Sequence, residues 1–224
     1  MGSVPAVIVA NGGGRLPRRL SSAPLIVCAD GGVQRALRAG WRPHEVVGDL
    51  DSLDPATEAW LVEVGASVYR HPPDKDKTDT ELAVDLVVQR GFRSCYLVAA
   101  LGGRVDHTLA NLLLLRYAAD RGLDLRILDG RTYVQLVRGR TVLDARPGDI
   151  VSLFSLQPTS RGITTRGLRF SLVGGSLVLG SSLGVSNEVT EPEPAVEVLD
   201  GELVAVRIRR RRKGGSSWTR WSGP

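Results

Sequence analysis

The sequence predicts an α/β N-terminal domain, with a mostly parallel sheet and helices on both faces, followed by an all-β, sandwich-like C-terminal domain. Over the first ~130 residues, short β-like runs alternate with helical patterns, as in βαβ units. After Asp129-Gly130, short strands separated by turn signals follow, without a sustained helical period. We therefore expect domains at residues 1–130 and 131–213, and a low-complexity, disordered tail at 214–224.

The first domain is predicted to alternate strands and helices along its whole length. The β-like runs are Val7–Ala10, Leu25–Ala29, Val46–Val47, Ser67–Tyr69, Cys95–Ala99 and Leu125–Leu128. The helical stretches are Val33–Ala39, Pro55–Val64, Thr80–Arg90 and Thr108–Arg121. Sheets of this kind bind ligands beyond the carboxyl ends of their strands. Functional residues are therefore expected in the loops that follow the strands.

The second domain is predicted to be a smaller set of antiparallel strands. The strand-like runs are Tyr133–Val137, Thr141–Leu143, Ile150–Phe154, Leu168–Leu172, Ser176–Leu179 and Glu202–Ile208. By composition, Gly174-Gly175 and Asp200-Gly201 are predicted hairpin turns. The strands and turns together predict a sandwich or a partial barrel.

The net charge of +5 comes from the end of this chain of 224 residues. From Arg207 onward there are seven Lys or Arg residues and no acidic ones, while the rest of the chain holds 22 basic and 24 acidic residues. A basic tail alone is a weak indication of nucleic-acid binding. No nucleic-acid partner is therefore expected, beyond non-specific affinity of the tail for polyanions.

The chain is expected to be cytoplasmic, without a membrane partner. No apolar run reaches the ~18–20 residues of a membrane span, and the N-terminus has no basic region typical of a signal peptide. Cys28 and Cys95 each lie inside an apolar run, which is typical of buried thiols in a reducing compartment.

The segment Gly48-Asp49-Leu50-Asp51 places two carboxylates after a predicted strand. On an extended backbone, residues i and i+2 point the same way, so Asp49 and Asp51 would repel each other unless a cation lay between them. Mg²⁺ suits such a pair, because it prefers hard oxygen ligands and keeps waters and phosphates in its shell. The alternative is a helix cap, but Asp54-Pro55 already supplies one.

The segment 74–81 combines acidic and basic residues before a predicted helix. Thr78 and Glu81 fit a capping box, and Asp79 would lie in the first helical turn, where a carboxylate is favoured. The remaining charges suit a metal–phosphate site, in which carboxylates hold the ion and ammonium groups neutralise phosphate. These residues are Asp74, Lys75, Asp76 and Lys77. A solvated charged loop is the alternative.

Three glycine-containing turns follow other predicted strands. Gly102-Gly103 would let the backbone approach a ligand, and the N–H groups of the next helix could hold an anion. In that helix His107 and Asn111 share a face, while Asp106 could instead be a cap. The turn Asn11–Gly14 could wrap phosphate or be a loose loop. In the third turn, Ala29–Gly32, Asp30 could join the carboxylates of Asp49 and Asp51 or cap the helix that follows.

The absent motifs exclude several enzyme classes. The sequence has no G-x-x-x-x-G-K-[ST] motif, so a P-loop kinase is excluded. It also lacks G-x-G-x-x-G after the first strand, H-E-x-x-H and G-x-S-x-G, which argues against a dinucleotide site of that type, a zincin and an α/β-hydrolase.

Taken in order, these segments resemble the thiamine pyrophosphokinase (thiamin diphosphokinase) family. The matching pieces are Ala29–Gly32, Gly48–Ser52, Asp74–Asp79, Leu101–His107 with Asn111, Gly167–Phe170 and Gly184–Asn187. The resemblance implies a catalytic, ATP- and Mg²⁺-binding α/β domain and a β-sandwich domain for thiamine binding and dimerisation. It implies a homodimer that transfers pyrophosphate from ATP to the hydroxyl of thiamine, giving thiamine diphosphate and AMP.

The resemblance also implies roles for individual residues. The acidic metal and catalytic group would be Asp49, Asp51 and Asp79. The nucleotide and its loops would involve Asn11, Asp30, Gly31, Lys75, Asp76, Lys77, Thr78, Gly103, Arg104, Asp106, His107 and Asn111. Thiamine would lie near Ser186 and Asn187. Some relatives carry a Trp near the C-terminal strand that can stack on the substrate, and this chain has none in register there.

Two other functions compete with this interpretation. One is a Mg²⁺-dependent phosphotransferase or hydrolase on another substrate, with an aspartyl nucleophile in the Asp49-x-Asp51 pair; such enzymes usually have Thr where Ser52 stands. The other is a non-catalytic regulator that binds nucleotide or thiamine. Release of AMP would separate the pyrophosphokinase from both.

Overall fold

The computed structural model describes residues 4–51 and 53–210, which form twelve strands, four α-helices and one short 3₁₀ helix, Arg18–Leu20. The strands are β1 (Ala6–Val9), β2 (Ile26–Ala29), β3 (Glu45–Gly48), β4 (Ser67–Arg70), β5 (Ser94–Val98), β6 (Asp124–Asp129), β7 (Thr132–Val142), β8 (Ile150–Ser155), β9 (Thr159–Arg166), β10 (Gly175–Val178), β11 (Asn187–Glu188) and β12 (Ala195–Ile208). The helices are α1 (Gly32–Arg38), α2 (Pro55–Glu63), α3 (Asp79–Gln89) and α4 (Val105–Ala119). The predicted tail and Ser52 lie outside the described residues.

The first six strands form a parallel sheet in the order β4-β3-β2-β1-β5-β6. The strand order therefore reverses between β1 and β5. β7 pairs antiparallel with β6 through a hairpin at Gly130, whose φ is 58°, and so carries the sheet into the C-terminal β region. The fold class predicted from the sequence is confirmed. The proposed boundary after residue 130 falls within this hairpin.

Helices cover both faces of the parallel sheet. Side chains alternate along β1, so Ile8 packs in the core that contains Leu115 of α4, while Val7 and Val9 pack in the core that contains Leu61 of α2. The α3 residues belong to the first of these cores and the α1 residues to the second. Burial on both faces explains why the inner strands β1 and β2 are continuous apolar runs, whereas the edge strand β4 is not.

The C-terminal β region is organised around β12. This strand pairs with β7 along one side, and along the other with β9 through its first half and β8 through its second. The register shifts between Val198 and Leu203, and Gly201 there has φ 100°. Asp200-Gly201 is therefore a bulge within one strand, and the hairpin predicted there is wrong. The strand continues because both of its edges find partners across this point.

A second correction concerns the segment before β10. The predicted strand Leu168–Leu172 contributes only an isolated bridge between Leu168 and Val189. The strand that pairs with β10 is instead β9, which lies before the predicted run. It was not predicted because its residues are mostly polar. Its buried residue Ile163 packs with Val196 and Leu203 of β12 in the core of the β region.

The two cysteines are buried and unpaired, as predicted. Burial raises the pKa of both the Cys28 and the Cys95 thiols. In the part of the chain that the structure describes, no helix is both long enough and apolar enough to cross a membrane.

Candidate active site

A pocket of about 260 Å³ opens at the carboxyl ends of β1, β2 and β5. It lies where the strand order reverses, which is the usual ligand position in open parallel sheets. Its polar lining comprises Asn11, Asp30, Thr78, Asp79, Thr80, Arg104, His107 and Asn111. A larger groove of about 650 Å³ lies between α1 and α2 beside Trp41 and Trp60, but no acidic residue lines it. Another pocket, of about 410 Å³, is lined by Asp124 and Asp144 but by none of the residues predicted for the site, so the 260 Å³ pocket is the candidate site.

Asp49 follows the last residue of β3; it is not among the residues that line the pocket, but Lys75 joins it to the lining residue Asp79. The next residue, Leu50, has a left-handed φ of 60° and is buried in the core beneath α1 and α2. The backbone is therefore not extended here, contrary to the sequence-based expectation. Asp51 is exposed, and its backbone N–H donates to Asp49 Oδ1 at 3.2 Å. The two carboxylates have different surroundings, and only Asp49 is partly buried.

Gly48 lies between two other acidic residues. A Cβ atom at this position would lie 3.1 Å from Asp30 Cβ and 3.2 Å from Asp79 Cγ. The missing side chain thus allows Asp30, which follows β2, and Asp79, which begins α3, to approach each other across the end of β3. Asp30 itself has a left-handed φ of 42°. Asp30, Asp49 and Asp79 are brought together at one edge of the sheet.

Asp79 is the first residue of α3, and Thr78 caps the helix. Thr78 Oγ1 accepts a hydrogen bond from Glu81 N at 3.2 Å, which forms one half of the predicted capping box. The carboxylate of Asp79 is partly buried, and burial is the main reason why its pKa is raised. Lys75 opposes this shift, whereas Asp30 and Asp49 add to it.

The two lysines of the loop before α3 have different partners. Lys75 Nζ lies 3.1 Å from Asp79 Oδ1 and 3.8 Å from Asp49 Oδ2. Lys77 Nζ instead donates to Asp85 Oδ2 at 2.5 Å and to Tyr117 OH at 2.8 Å. These contacts are the main reason why the pKa of Lys77 is raised. Only Lys75 reaches the carboxylates.

Glycines let the loops after β1, β2 and β5 meet. A Cβ at residue 31 would lie 2.2 Å from Asn11 Nδ2, so the Asn11 amide packs on Gly31. A Cβ at Gly12 would lie 2.6 Å from the carbonyl oxygen of Ala99. The backbone of the first loop is also bonded to the third, since Gly12 N donates to Ala99 O at 2.7 Å. The pocket floor is therefore close-packed backbone.

The start of α4 contributes one fixed side chain and several exposed ones. Asn111 is buried, and its Nδ2 donates to the carbonyl oxygen of Ala100 at 2.8 Å, which holds the loop after β5 in place. Arg104 is the N-cap residue, and it pairs with Asp106 at 2.6 Å in an exposed contact. This pair lowers the pKa of Asp106 to about 2. Gly103 and His107 are exposed beside it.

Ten of the predicted site residues are not among those that line the pocket, including Asp49, Lys75, Asp76, Ser186 and Asn187. Asp76 is exposed in the loop before α3. Ser186 is exposed in the β region, with φ 61°, and its N–H donates to Ser152 Oγ at 3.0 Å. Asn187 Nδ2 donates to the carbonyl oxygen of Phe170 at 2.7 Å. These contacts of Ser186 and Asn187 lie within the β region and do not involve Asp49 or Asp79.

One residue of structural importance was missed. Asp129 Oδ2 accepts a hydrogen bond from Leu101 N at 2.9 Å, and a Cβ at Gly14 would lie 1.8 Å from Asp129 Oδ1. Asp129 thus holds the loops after β1 and β5 against each other. Burial raises the pKa of this carboxyl group. Asp129 could have been predicted by the pattern that pointed to Asp30 and Asp49, because it too is an acidic residue that follows a predicted strand.

The site offers oxygen donors suited to a hard divalent cation. Asp79 Oδ1 is buried and accepts no well-directed hydrogen bond, although Lys75 lies nearby. Among the residues described, no group of three His, Cys, Asp or Glu side chains is already arranged around one metal position. Asp49 and Asp79 thus provide the chemistry of a Mg²⁺ site but not a complete ligand shell, as expected for an ion that keeps waters and phosphate oxygens.

Fold and site together define an α/β enzyme with an acidic pocket at the switch point of its sheet and an attached β region. The model for "Thiamin pyrophosphokinase, catalytic domain" matches residues 16–127, and that for "Thiamin pyrophosphokinase, vitamin B1 binding domain" matches residues 140–201. The chain therefore belongs to the thiamin pyrophosphokinase family. This confirms the resemblance, and with it an enzyme that transfers pyrophosphate from ATP to thiamine.

Individual relatives are similar over most of their length. Thiamine pyrophosphokinase of Bacillus subtilis (strain 168) is 26% identical over 186 residues, which cover 82% of this chain and 86% of the relative. Thiamine pyrophosphokinase 1 of Oryza sativa subsp. japonica is 28% identical, over 89% and 85% of the two chains. The crystal structure of a thiamin pyrophosphokinase family protein from Enterococcus faecalis superposes with a TM-score of 0.82 at 25% identity, over 92% of this chain and 100% of that one.

Proposed function

We propose that this chain carries out the transfer in a Mg²⁺-dependent reaction centred on Asp49 and Asp79. The thiamine hydroxyl oxygen bonds to the β-phosphorus of ATP, and the bond from that phosphorus to the oxygen of the α-phosphate breaks. AMP leaves with that oxygen, and the hydroxyl proton passes to a carboxylate. The observation that carries the proposal is the convergence of Asp30, Asp49 and Asp79 near Gly48, beside the pocket at the switch point of the sheet.

Asp49 and Asp79 are the residues that would hold Mg²⁺, with Asp51 within reach if its exposed turn rearranges. When bound, Mg²⁺ neutralises phosphate oxygens and orients the polyphosphate. The buried Asp79 Oδ1, which is held by the ion pair with Lys75, supports this placement because a cation already lies against it. Asp79 also has a raised pKa, which suits a group that accepts the hydroxyl proton. Base and metal ligand remain alternative roles for Asp79.

The polyphosphate is proposed to lie against the loops after β1 and β5. Arg104 is exposed at the rim of the pocket, so its guanidinium is available to a phosphate oxygen after it leaves Asp106. Asn11 and Asn111 border the same pocket, and Asn111 positions the loop that carries Gly102 and Gly103. The predicted contacts of Asp76 and His107 with the nucleotide stay predictions, whereas Lys77 is held by Asp85 and Tyr117 instead.

Thiamine is proposed to bind across a homodimer. Val105, Leu109 and Leu113 lie on one face of α4 and are 82%, 57% and 53% exposed. A second exposed apolar surface in the β region includes Leu183 and Val185, which immediately precede Ser186. Burying the first surface of one protomer against the second of its partner would bring Ser186 and Asn187 towards the acidic pocket. The symmetric contact would form twice in a two-fold dimer.

A turnover assay tests the reaction. Purified protein is mixed with ATP, thiamine and Mg²⁺, and AMP and thiamine diphosphate are quantified by mass spectrometry. Both products are expected in equal amounts, and Asp49→Asn or Asp79→Asn should abolish them. Asp54→Asn is the matched control, because Asn caps α2 as well as Asp does and lies outside the pocket. ADP or free phosphate as the product would contradict the proposal.

A complementation assay tests the shared site. Asp49→Asn and Ser186→Trp variants are expected to be inactive alone and to recover part of the activity when mixed, because a mixed dimer holds one intact site. Sedimentation of the wild-type protein as a monomer at assay concentration would contradict the dimer. The cytoplasmic location stays a prediction from the sequence.

A further inference from the structure

Lys75 and Lys77 are two residues apart in one loop, yet they face different surroundings. Lys77 is fully engaged by the polar cluster between α3 and α4, where it contacts Asp85, Tyr117 and, at 3.5 Å, Glu81. Tyr117 OH in turn donates to Asp85 Oδ1 at 2.8 Å. Lys77 therefore joins the loop to the helices and does not reach the acidic pocket.

Lys75 is held between the two carboxylates that matter for the proposed reaction. Its ammonium lies 3.1 Å from Asp79 Oδ1 and 3.8 Å from Asp49 Oδ2, and it donates to the carbonyl oxygen of Pro72 at 3.2 Å. The side chain is only 14% exposed. Ion pairs between exposed side chains have little effect on stability. The Lys75 contact differs, because it is shielded from solvent and involves two acidic groups at once.

The ammonium and a divalent ion would compete for the same oxygens. Asp79 Oδ1 is both the atom nearest Lys75 Nζ and the buried oxygen that we assign to Mg²⁺. Two cations cannot both lie within about 3 Å of that oxygen without strong mutual repulsion. Metal entry would therefore disfavour the present position of the Lys75 ammonium, which its own loop keeps beside the pocket.

We propose that Lys75 is a positioning residue that acts as an internal counter-cation: it neutralises Asp49 and Asp79 until a divalent ion displaces it. This inference rests on the proposed metal site. Lys75 keeps the two carboxylates close together against their repulsion, and it weakens metal binding to the protein alone. Tight metal binding then depends on the phosphate groups of the nucleotide, which attract the released ammonium.

Binding of Mn²⁺ to the full-length protein without nucleotide tests the proposal, measured by electron paramagnetic resonance of free Mn²⁺. Lys75→Met is expected to bind Mn²⁺ about tenfold more tightly than the wild type, since one competing charge is gone. Lys75→Arg keeps the charge and should stay near the wild type. Lys77→Met is the matched control, because its ammonium contacts Asp85 instead, and its Mn²⁺ affinity should be unchanged.

A second readout is thermal unfolding of the same variants. Without metal, Lys75→Met should unfold at a lower temperature than the wild type, and saturating Mn²⁺ should raise its Tm by more than it raises that of the wild type. This comparison also shows whether each variant folds. A structural role alone would lower the Tm without tightening metal binding.

The outcomes separate the two proposals. Equal Mn²⁺ affinity in Lys75→Met and the wild type, with binding lost in Asp49→Asn, overturns the role of Lys75 and leaves the metal site standing. Mn²⁺ binding that is insensitive to Asp49→Asn and Asp79→Asn overturns both. Tighter binding in Lys75→Met and Lys77→Met alike would also overturn the inference, because it would reflect net charge only.

Discussion

The side-chain amide of Asn11 packs directly on Gly31, so that a Cβ at residue 31 would lie 2.2 Å from Asn11 Nδ2. This contact joins the loop after β1 to the start of α1, at the border of the candidate active site. The neighbouring Gly32 is equally crowded, but by backbone: its Cβ would lie 2.0 Å from the carbonyl oxygen of Val9. The two glycines are therefore required for different reasons.

Alanine substitutions should distinguish crowding by a side chain, at Gly31, from crowding by backbone, at Gly32. Gly31→Ala is expected to displace the Asn11 amide and raise the KM for ATP about tenfold, while the fold is kept. Gly32→Ala should instead destabilise the protein by about 3 kcal/mol or more, because the Val9 backbone cannot move aside without disturbing β1. Steady-state kinetics and urea unfolding measure the two effects. Equal loss of stability in both variants would contradict this distinction.

Gly48→Ala should impair the reaction more than the fold. The new Cβ would lie 3.1 Å from Asp30 Cβ and push apart the acidic residues that converge there. The neighbours must move by a few tenths of an ångström, so we expect kcat/KM to fall about tenfold, less than the ~100-fold of a 1 Å misplacement. Gly40→Ala is the control: it has φ +73° and open space, so it should lower stability by about 1 kcal/mol with unchanged kinetics.

Asn111→Ala should loosen the loop after β5. It leaves the buried carbonyl oxygen of Ala100 without its partner, which is expected to cost about 1–3 kcal/mol and to raise the KM for ATP. Thr108→Ala removes an exposed bond to the carbonyl oxygen of Arg104 on the same helix and should change stability by about 0.5 kcal/mol at most. Similar unfolding free energies for the two variants would argue against the anchoring role of Asn111.

Asp120 provides a pH test away from the site. Arg138 and Arg116 lower the pKa of Asp120 in the folded protein below its ordinary value of 3.8. Because the pKa of Asp120 is lower in the folded than in the unfolded protein, the ionised carboxylate stabilises the fold above pH ~4. This stabilisation is lost as the pH falls through the pKa of the folded state. Asp120→Asn should therefore lower the Tm at pH 7, and the difference from the wild type should shrink as the pH drops below ~4. A difference that does not depend on pH would contradict the ionic origin.

The sequence was sufficient to predict the alternation of strands and helices and the acidic strand ends, because parallel strands bring their carboxyl ends to one edge. It could not predict which of Lys75 and Lys77 contacts the acidic residues of the site. Lys77 is held away from them by Asp85 and Tyr117, which lie 8 and 40 residues beyond it and meet it only after α3 packs against α4. The bulge at Gly201 was missed for a similar reason, since it depends on pairing with strands on both sides of β12.

The position of β12 has a consequence for synthesis of the chain. Among the described residues, β8 and β9 do not pair with each other, and each is joined to β12 instead. During translation, β7 to β11 are therefore synthesised before β12, the strand with which β7, β8 and β9 pair. The parallel sheet can assemble during translation, whereas the β region must wait for residues 195–208 to emerge. We expect nascent chains stalled before residue 195 to expose unpaired strand edges and to bind chaperones.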